Sequence, residues 1–221
     1  MYLKICVRQQ ILPVFVRALM VLTAGTSAQV IHAEPVLSIP VKPTDSVRYG
    51  PGDSKEPGLC KGDDCAITVV EYTDYQCSYC EKGHATTQRL LKDYQGRIRW
   101  IVRDFPLPGH PRAKRAAVAA QCAKDQGQYW GMHDAIFKNQ DALGEGDLRK
   151  MAQSIGLNTE TFDSCMNQPE GHEKSINENI KSGQTLGVSG TPTYFVNGQR
   201  ITGALPYEEF KRVIDKTLTQ K

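Results

Sequence analysis

The chain has 221 residues, enough for one domain with an insertion or for two small domains with their own cores. Hydrophobic residues make up 40% and charged residues 23%, which is typical of a globular protein. The net charge of +3 comes from Lys4, Arg8 and Arg17, because the rest of the chain has 24 basic and 24 acidic residues. Composition therefore gives no support to nucleic-acid binding.

Residues 1–33 are typical of an export signal. A basic start is followed by the apolar run ALMVLTAG and then by small residues ending in TSA or IHA, which are two alternative cleavage positions. Arg17 interrupts the apolar run before it reaches the ~18 residues that a membrane span needs. We therefore expect export to the periplasm or cell envelope, with a retained N-terminal membrane anchor as the alternative.

Residues 34–65 are rich in proline and glycine and show no periodicity, which predicts an extended N-terminal segment. Six cysteines remain once Cys6 of the leader is set aside, and an even number in an exported chain indicates an oxidising compartment. Cys60 and Cys65 enclose only KGDD, so they are candidates for a structural disulfide that closes a small loop. A second redox couple is the alternative.

A strand, a helix and a second strand are predicted next, within residues 66–110. AITVVEYTD (Ala66 to Asp74) is rich in β-branched and aromatic residues and predicts a buried strand. Cys80 to Tyr94 has a helical pattern, and Arg97 to Phe105 alternates like a strand. This order predicts a βαβ unit, the first part of an α/β domain.

Residues 111–186 predict a block of helices without strands. The stretch from Pro111 to Gln140 is rich in alanine and has apolar residues spaced three and four apart. Further helices are predicted at Asp147–Gly156, Thr159–Asn167 and Glu170–Leu186. The block therefore reads as an insertion into the α/β domain.

Residues 187–221 predict the second part of the α/β domain. Asn197–Gly198 lies between two strand-like runs, which is typical of a tight hairpin turn. The segment from Pro206 to Leu218 begins with proline and has apolar residues at helical spacing. The whole order is βαβ, helical insertion, ββα.

The stretch Cys77-Ser78-Tyr79-Cys80 lies between the first strand and the first helix. Its spacing is compatible with a structural staple, half of a metal site or a redox centre. At the helix start Cys77 would face unpaired N–H groups and the positive end of the helix dipole, and such contexts lower a thiol pKa from about 8.5 to roughly 3.5–7.5. We therefore predict that Cys77 is the attacking sulfur and Cys80 the resolving one.

A metal site at this place would use His84, four residues after Cys80. Zinc takes four ligands, and the sequence has no second C-x-x-C and no H-x-x-x-H to complete a structural site. We therefore predict no metal and no cofactor, and interpret His84 as a helix residue for which a proton-transfer role stays open. Thr191-Pro192 precedes the hairpin, where a cis proline would present backbone to an extended substrate; an ordinary turn proline is the alternative.

Four features occur in the order VVEYTDYQCSYC, QCAKDQGQYWGMHDAIF, GVSGTPTYFVNG and an amphipathic last helix. Over residues 66–218 the chain thereby resembles the thioredoxin superfamily, and within it the DsbA-like thiol-disulfide oxidoreductases. The resemblance implies an α/β thioredoxin-like fold (βαβ…ββα) with an inserted helical domain.

The resemblance also implies roles for single residues. Cys77 resembles the nucleophile, Cys80 the resolving cysteine and Pro192 the cis-proline that faces them. Thr191 would offer its backbone to the substrate. Glu71 matches a buried acid beneath the cysteines that aids proton transfer; an ordinary carboxylate at a strand end is the alternative.

Ser78 and Tyr79 occupy the dipeptide that tunes the redox potential and contacts substrate in this family. Many relatives have Pro or His there, so the chain departs from the common pattern. Cys122 and Cys165 fall on two helices of the insertion, where several relatives have a structural disulfide. The resemblance implies the same bond here, with two buried free thiols as the alternative.

These observations predict an exported thiol-disulfide oxidoreductase, most consistent with a DsbA-like oxidase that introduces disulfides through a Cys77–Cys80 redox-active disulfide. Its partners would be reduced or unfolded client proteins and a redox partner that reoxidises it, for which a membrane-bound protein is one candidate. Nucleic acid is not expected as a partner. The alternatives are a disulfide isomerase or reductase on the same scaffold and a non-catalytic metal-binding module.

Overall fold

A five-stranded mixed sheet organises the chain, which the computed structural model describes over residues 46–48 and 65–219. The strands are β1 Ser46–Arg48, β2 Ile67–Thr73, β3 Ile98–Asp104, β4 Thr193–Val196 and β5 Gln199–Thr202. The helices are α1 Ser78–Asp93, α2 Ala113–Asp125, α3 Tyr129–Lys138, α4 Glu145–Ser154, α5 Thr159–Asn167, α6 Glu170–Thr185 and α7 Tyr207–Thr219. The strand order is β1-β3-β2-β4-β5, with β2 and β3 parallel and the other neighbours antiparallel.

Both central strands are covered on their two faces. In β2 and in β3, six of the seven residues are buried, as expected of the middle of a sheet with helices on each side. Helices α1 and α7 pack on one face, around Trp100, Tyr194 and Phe210. Tyr72 and Phe195 belong to the opposite face, where residues of α6 pack. Alternate residues of one strand therefore enter two separate cores.

Helices α2 to α6 lie between β3 and β4 in the sequence and form the predicted helical insertion. They have a third core, which also includes Cys77 and Cys80. A disulfide between Cys122 of α2 and Cys165 of α5 ties two of these helices together. The predicted α/β fold with a helical insertion is therefore confirmed, and the two cysteines lie where the insertion meets the sheet domain.

The hairpin between β4 and β5 shows why the local sequence was informative. Asn197 and Gly198 have φ angles of 44° and 88°, the left-handed conformation that a tight hairpin turn requires at both central positions. The Asn197 side chain also accepts a hydrogen bond of 2.8 Å from the backbone N–H of Thr68 in β2. The turn is thus tied to the neighbouring strand.

Part of the predicted extended segment 34–65 pairs with the sheet. Ser46–Arg48 forms an edge strand antiparallel to β3. A strand of three residues is too short for an alternating pattern to reveal it. The predicted leader at residues 1–33 and Cys60 lie outside the described residues. Among residues 65–219, none of the helices has the length and hydrophobicity required to cross a membrane.

Gly83 of α1 gives a test of the packing beneath the cysteines. A Cβ at this position would lie 2.3 Å from the Tyr194 hydroxyl and 3.4 Å from Cγ of Pro192. We expect Gly83→Ala to lower the free energy of unfolding by about 1–3 kcal/mol, because the overlap outweighs the better helix propensity of alanine. Denaturant unfolding followed by circular dichroism measures the change.

Gly146 of α4 is the matched control, because a Cβ there meets no atom within 4 Å. We expect Gly146→Ala to be neutral or to stabilise by up to about 1 kcal/mol. In a Tyr194→Phe background the cost of Gly83→Ala should fall, since the clashing hydroxyl is gone. An equal cost in both backgrounds would contradict the proposed overlap.

Candidate active site

Cys77 occupies the N-cap position of α1, just beyond the end of β2. Its backbone is extended, with φ −82° and ψ 119°, and its carbonyl accepts the first helical hydrogen bonds from the N–H groups of Cys80 (2.9 Å) and Glu81 (3.2 Å). A side-chain oxygen usually caps this position, but α1 has no side-chain cap. The Cys77 sulfur lies at this position, where the backbone N–H groups of Tyr79 and Cys80 help to lower its pKa.

The two cysteines have opposite electrostatic environments. A hydrogen bond from the Cys80 thiol, with smaller contributions from the Thr191 side chain and the N–H groups of Tyr79 and Cys80, lowers the pKa of Cys77 to about 5 despite its burial. Burial raises the pKa of the fully buried Cys80, and its hydrogen bond to Cys77 raises that pKa further. At neutral pH the pair is therefore a thiolate at Cys77 and a neutral thiol at Cys80.

The loop before β4 lies directly against Cys77. The Thr191-Pro192 peptide bond is cis, and the Cys77 Sγ lies 3.4 Å from the carbonyl oxygen of Thr191. The Thr193 hydroxyl donates a 2.7 Å hydrogen bond to the carbonyl of Gly190, which holds the loop in place. The structure thus brings together residues that are 114 positions apart in sequence.

Asp74 holds the turn that leads from β2 to Cys77. One carboxylate oxygen accepts a 2.6 Å hydrogen bond from the N–H of Gln76. The other accepts one of 2.7 Å from the N–H of Leu107 and lies 2.8 Å from Nδ1 of His110. Asp74 is buried, so these bonds anchor the active-site turn to the loop after β3. The sequence analysis did not identify Asp74; its place three residues before Cys77 is typical of an Asp that orders a turn.

The helical insertion holds the same turn from the other side. The hydroxyl of buried Tyr75 lies 2.8 Å from Nδ1 of His133 and 3.3 Å from the hydroxyl of Tyr129. Gln140, just after α3, donates a 2.9 Å hydrogen bond from its side chain to the carbonyl oxygen of Cys77. The position of the Cys77 sulfur therefore depends on both the sheet domain and the insertion.

Two buried carboxyl groups lie on the face of the sheet beneath the cysteines. Burial raises the pKa of Glu71 to about 7, although Nε1–H of Trp100 donates a 2.7 Å hydrogen bond to its carboxylate. Burial likewise raises the pKa of Asp104 to about 7, and Gln121 donates a 2.7 Å hydrogen bond to it. Asp104 was not identified in the sequence, because an acid at the end of a strand is usually solvated.

Glu71 lies close to the cysteines. Burial raises the pKa of the Tyr194 hydroxyl, and the nearby charges of Glu71, Cys80 and Cys77 raise it further. The Thr73 side chain lies near both Glu71 and Cys80, although its buried hydroxyl has no hydrogen-bond partner at ordinary distance. A titratable acid, a hydroxyl and the resolving-type sulfur are thus neighbours in a buried environment.

The remaining predicted residues lie at different distances from this centre. Ser78 and Tyr79 are exposed beside the cysteines, and Tyr79, at 61% exposure, is the one large hydrophobic side chain exposed among the described residues. Cys65 is in a disulfide, while Cys60, its predicted partner, lies outside the described residues. His84 stacks on Phe137 of α3, with ring centroids 4.8 Å apart. Within residues 65–219, it forms no metal-ligand cluster with the cysteine sulfurs.

The chain is similar to proteins of two kinds. The profile of the thioredoxin family matches residues 55–216. Among curated sequences, the Na(+)/H(+) antiporter NhaA 3 of Salinispora tropica is 37% identical over 172 residues, and the antiporter NhaA of Herminiimonas arsenicoxydans is 33% identical over 169 residues. These matches cover 77% and 76% of this chain but 24% and 25% of the antiporters. The chain thus spans about a quarter of the length of these relatives.

Solved structures with the same fold include a thioredoxin-like oxidoreductase from Silicibacter pomeroyi DSS-3, with a TM-score of 0.66 and 29% identity. That match covers 79% of this chain and 92% of the other. The thiol-disulfide exchange protein α-DsbA2 from Wolbachia pipientis has a TM-score of 0.63 and 22% identity, covering 71% and 84%. A periplasmic thioredoxin-like protein from Salmonella enterica serovar Typhimurium has a TM-score of 0.63 and 18% identity, covering 80% and 92%. At these identities the last two show likeness of fold.

The pKa of Cys77 gives a first prediction for the site. We expect its alkylation rate by iodoacetamide to follow a titration with a midpoint near pH 5, because only the thiolate reacts. The folded pKa lies below that of an unfolded thiol. The thiolate therefore stabilises the reduced protein at alkaline and neutral pH, and this contribution is lost as the pH falls to about 5. Mass spectrometry of the alkylated protein measures the rate.

Cys80→Ala is the companion variant, because it removes the largest cause of the low pKa of Cys77. We expect the midpoint to move towards higher pH in this variant while the helix contributions remain. A wild-type midpoint near the ordinary thiol value of ~8.5 would contradict the assigned thiolate.

Glu71 gives a second prediction. Its pKa is raised on folding, so its burial costs stability progressively as the pH rises from about 4.5 to about 7. Glu71→Gln keeps an oxygen for Trp100 and removes the charge. We expect it to increase the free energy of unfolding at pH 8 by on the order of 1–3 kcal/mol, with no gain at pH 4. Denaturant unfolding across this pH range measures the difference.

The exposed Glu178 provides the control, since Glu178→Gln removes an acid from the surface of α6. We expect this variant to leave the pH dependence of stability unchanged. A stability gain in Glu71→Gln that is equal at pH 4 and pH 8 would argue against a buried acid that titrates near neutrality.

Proposed function

Because the chain belongs to the thioredoxin family, we propose that it is an exported, DsbA-like protein thiol-disulfide oxidoreductase that introduces disulfides into client proteins. The observation that carries this proposal is the asymmetry between the cysteines. Cys77 is a stabilised thiolate at the start of α1, and Cys80 is a buried neutral thiol. In such a pair the Cys77 sulfur is a good leaving group in thiol-disulfide exchange, while the Cys80 sulfur stays buried and protonated.

The proposed reaction begins with the Cys77–Cys80 disulfide. A client thiolate attacks the Cys77 sulfur, the bond between the two enzyme sulfurs breaks, and Cys80 leaves and takes up a proton. A second client thiolate then attacks the client sulfur of the mixed disulfide and releases Cys77 as a thiolate. Two electrons pass from the client to the enzyme, and the client gains one disulfide.

The direction of the reaction follows from the stability of the released thiolate. Stabilising Cys77 in its anionic form stabilises the reduced protein and makes the disulfide form a stronger oxidant. For this two-electron couple, a stabilisation of about 1.4 kcal/mol corresponds to about 30 mV. The low pKa of Cys77 therefore supports an oxidase in preference to a reductase.

Glu71 is proposed to exchange the proton of Cys80. Its pKa of about 7 lets the carboxyl both donate and accept a proton at neutral pH, and the Thr73 side chain lies near both groups. When Cys80 leaves, Glu71 would supply its proton. When the disulfide re-forms, Glu71 would take the proton back.

Client binding is proposed at the loop that contains Thr191 and cis-Pro192. The Thr191 carbonyl lies 3.4 Å from the Cys77 sulfur, so an extended client segment that pairs with this backbone would place its own cysteine at the attacking sulfur. The exposed ring of Tyr79 adds an apolar contact beside it. Backbone pairing of this kind suits clients that are reduced and unfolded.

Export and a redox partner complete the proposal. Residues 1–33 have the pattern of an export signal, and one protein with the same fold is described as periplasmic. An oxidase ends each cycle as a dithiol, so it needs an electron acceptor, which we propose to be a separate redox protein of the envelope. The similarity to a part of membrane antiporters is consistent with a redox activity located near a membrane.

The test is the oxidation of a reduced, unfolded disulfide protein by the purified oxidised chain. We expect one client disulfide per enzyme disulfide. Cys77→Ala should abolish the reaction. Cys80→Ala, given a client that already carries disulfides, should accumulate mixed disulfides, because its Cys77 thiolate attacks a client disulfide and no resolving sulfur is present to release the client. Gel electrophoresis without reductant, after alkylation, measures both outcomes.

The reduction potential of the Cys77–Cys80 couple separates the nearest functions. We expect a value closer to the about −120 mV of a strong oxidase than to the about −270 mV of thioredoxin. A value at the reducing end would favour a reductase or isomerase on the same scaffold. Full oxidase activity in Cys77→Ala would refute the mechanism. A metal-binding module would instead retain one equivalent of metal per chain after purification. It would lose this metal in Cys77→Ser and show no thiol exchange.

A further inference from the structure

We propose that His84, His133 and Asp134 form a binding site for a divalent transition metal where α1 meets α3. The site is separate from the cysteines and goes beyond the proposed oxidase function. One ring nitrogen of each histidine and a carboxylate oxygen of Asp134 all lie within 4.8 Å of one another. Two imidazoles and a carboxylate are a frequent ligand set for zinc.

The distances suit tetrahedral coordination. Nε2 of His84 and Oδ1 of Asp134 are 3.5 Å apart. Two ligands at about 2.0–2.2 Å from a tetrahedral zinc ion are separated by about 3.3–3.6 Å. This pair therefore already has the spacing of two ligands of one ion, and a ring nitrogen of His133 lies within 4.8 Å of the ligand atoms of both residues.

His133 is oriented by a hydrogen bond of the kind found around metal sites. Its Nδ1 lies 2.8 Å from the hydroxyl of Tyr75, a contact that fixes the orientation of the ring. The ring is packed between Tyr129, stacked at 5.7 Å, and Phe137, edge-on at 5.0 Å. These contacts hold the imidazole in one orientation, so little conformational freedom would be lost on binding.

Access and donor type indicate the class of ion. His133 is buried at 2% exposure, whereas the side chains of His84 and Asp134 are 15% and 42% exposed, so an ion can enter from the solvent side. Gln88 donates a 3.0 Å hydrogen bond to Oδ1 of Asp134, and the same amide nitrogen lies 3.5 Å from Nε2 of His84, so a bound ion would replace these two contacts. Nitrogen donors favour zinc, nickel or copper over magnesium and calcium, which prefer oxygen ligands. Three protein ligands leave a fourth position for water.

The location gives the site a structural consequence. His84 is on the helix that begins at Cys77, and His133 and Asp134 are on the insertion. A bound ion would therefore join the catalytic helix to the insertion by ligand bonds as well as by the stacking of His84 on Phe137 at 4.8 Å. Binding should raise the thermal stability of the chain, because the ion binds the folded state.

The experiment is a zinc titration of the protein with Cys77 and Cys80 oxidised, followed by isothermal calorimetry. The disulfide removes the thiolates as competing ligands, so binding reports on the proposed site alone and does not depend on oxidase activity. We expect one zinc ion per chain and a rise in melting temperature. His84→Ala and Asp134→Asn should each weaken binding by at least about tenfold. Cobalt in place of zinc should give a visible d–d spectrum of a tetrahedral site.

The matched control is His172→Ala, because His172 also pairs with an aspartate, Asp125, at 2.9 Å on the surface. The cysteines near it, Cys122 and Cys165, are joined in a disulfide and offer no thiolate. We expect this variant to bind zinc like the wild type. Circular dichroism without metal establishes whether each variant is folded. If His84→Ala does not fold, Asp134→Asn still tests the site, because asparagine is nearly isosteric with aspartate. Absence of zinc binding by the oxidised wild type, or unchanged binding in a folded Asp134→Asn variant, would overturn the proposal.

Discussion

The negative charge of the Cys77 sulfur, held at the amino end of α1, is the interaction on which the active site depends. The Cys80 thiol, with smaller contributions from the Thr191 side chain and the N–H groups of Cys80 and Tyr79, lowers the pKa of Cys77, and together these contributions outweigh the cost of its burial. At Cys80, one turn further along, burial outweighs the groups that would favour the thiolate, so this thiol stays neutral. A difference of one helical turn thus separates two chemically identical groups into two roles.

Keeping the sulfur at that point requires support from two sides. Asp74 ties the turn before Cys77 to the loop after β3, and Gln140 of the insertion binds the carbonyl of Cys77 itself. Both cysteines belong to the core of the insertion, while Thr191 approaches from the sheet domain. The insertion therefore contributes to the candidate active site and does more than cover the sheet. Residues that touch neither substrate nor sulfur would still affect the chemistry, because they set where helix α1 begins.

The buried acids show that this site is not arranged for stability alone. Glu71 and Asp104 are almost fully buried, and the pKa of each is raised to about 7 by that burial. An apolar residue at either place would avoid the desolvation of a carboxylate at pH above 7. Carboxyl groups that titrate near neutrality are instead useful where a buried thiol must lose and regain a proton. For Glu71, whose neighbour Tyr194 also lies near Cys80, the cost in stability is consistent with a functional role.

The sequence by itself determined the parts of the protein that depend on neighbouring residues. Helical and strand periods, the Asn197–Gly198 turn and the position of Cys77 between a strand and a helix all act over a few residues, so they could be read directly. The edge strand β1 could not, because three residues carry no pattern and its pairing is with distant β3. The approach of Thr191 to Cys77 and the meeting of His84 with α3 were likewise decided by the tertiary structure. Contacts across such separations depend on how whole helices and strands pack, and no local spacing records that packing.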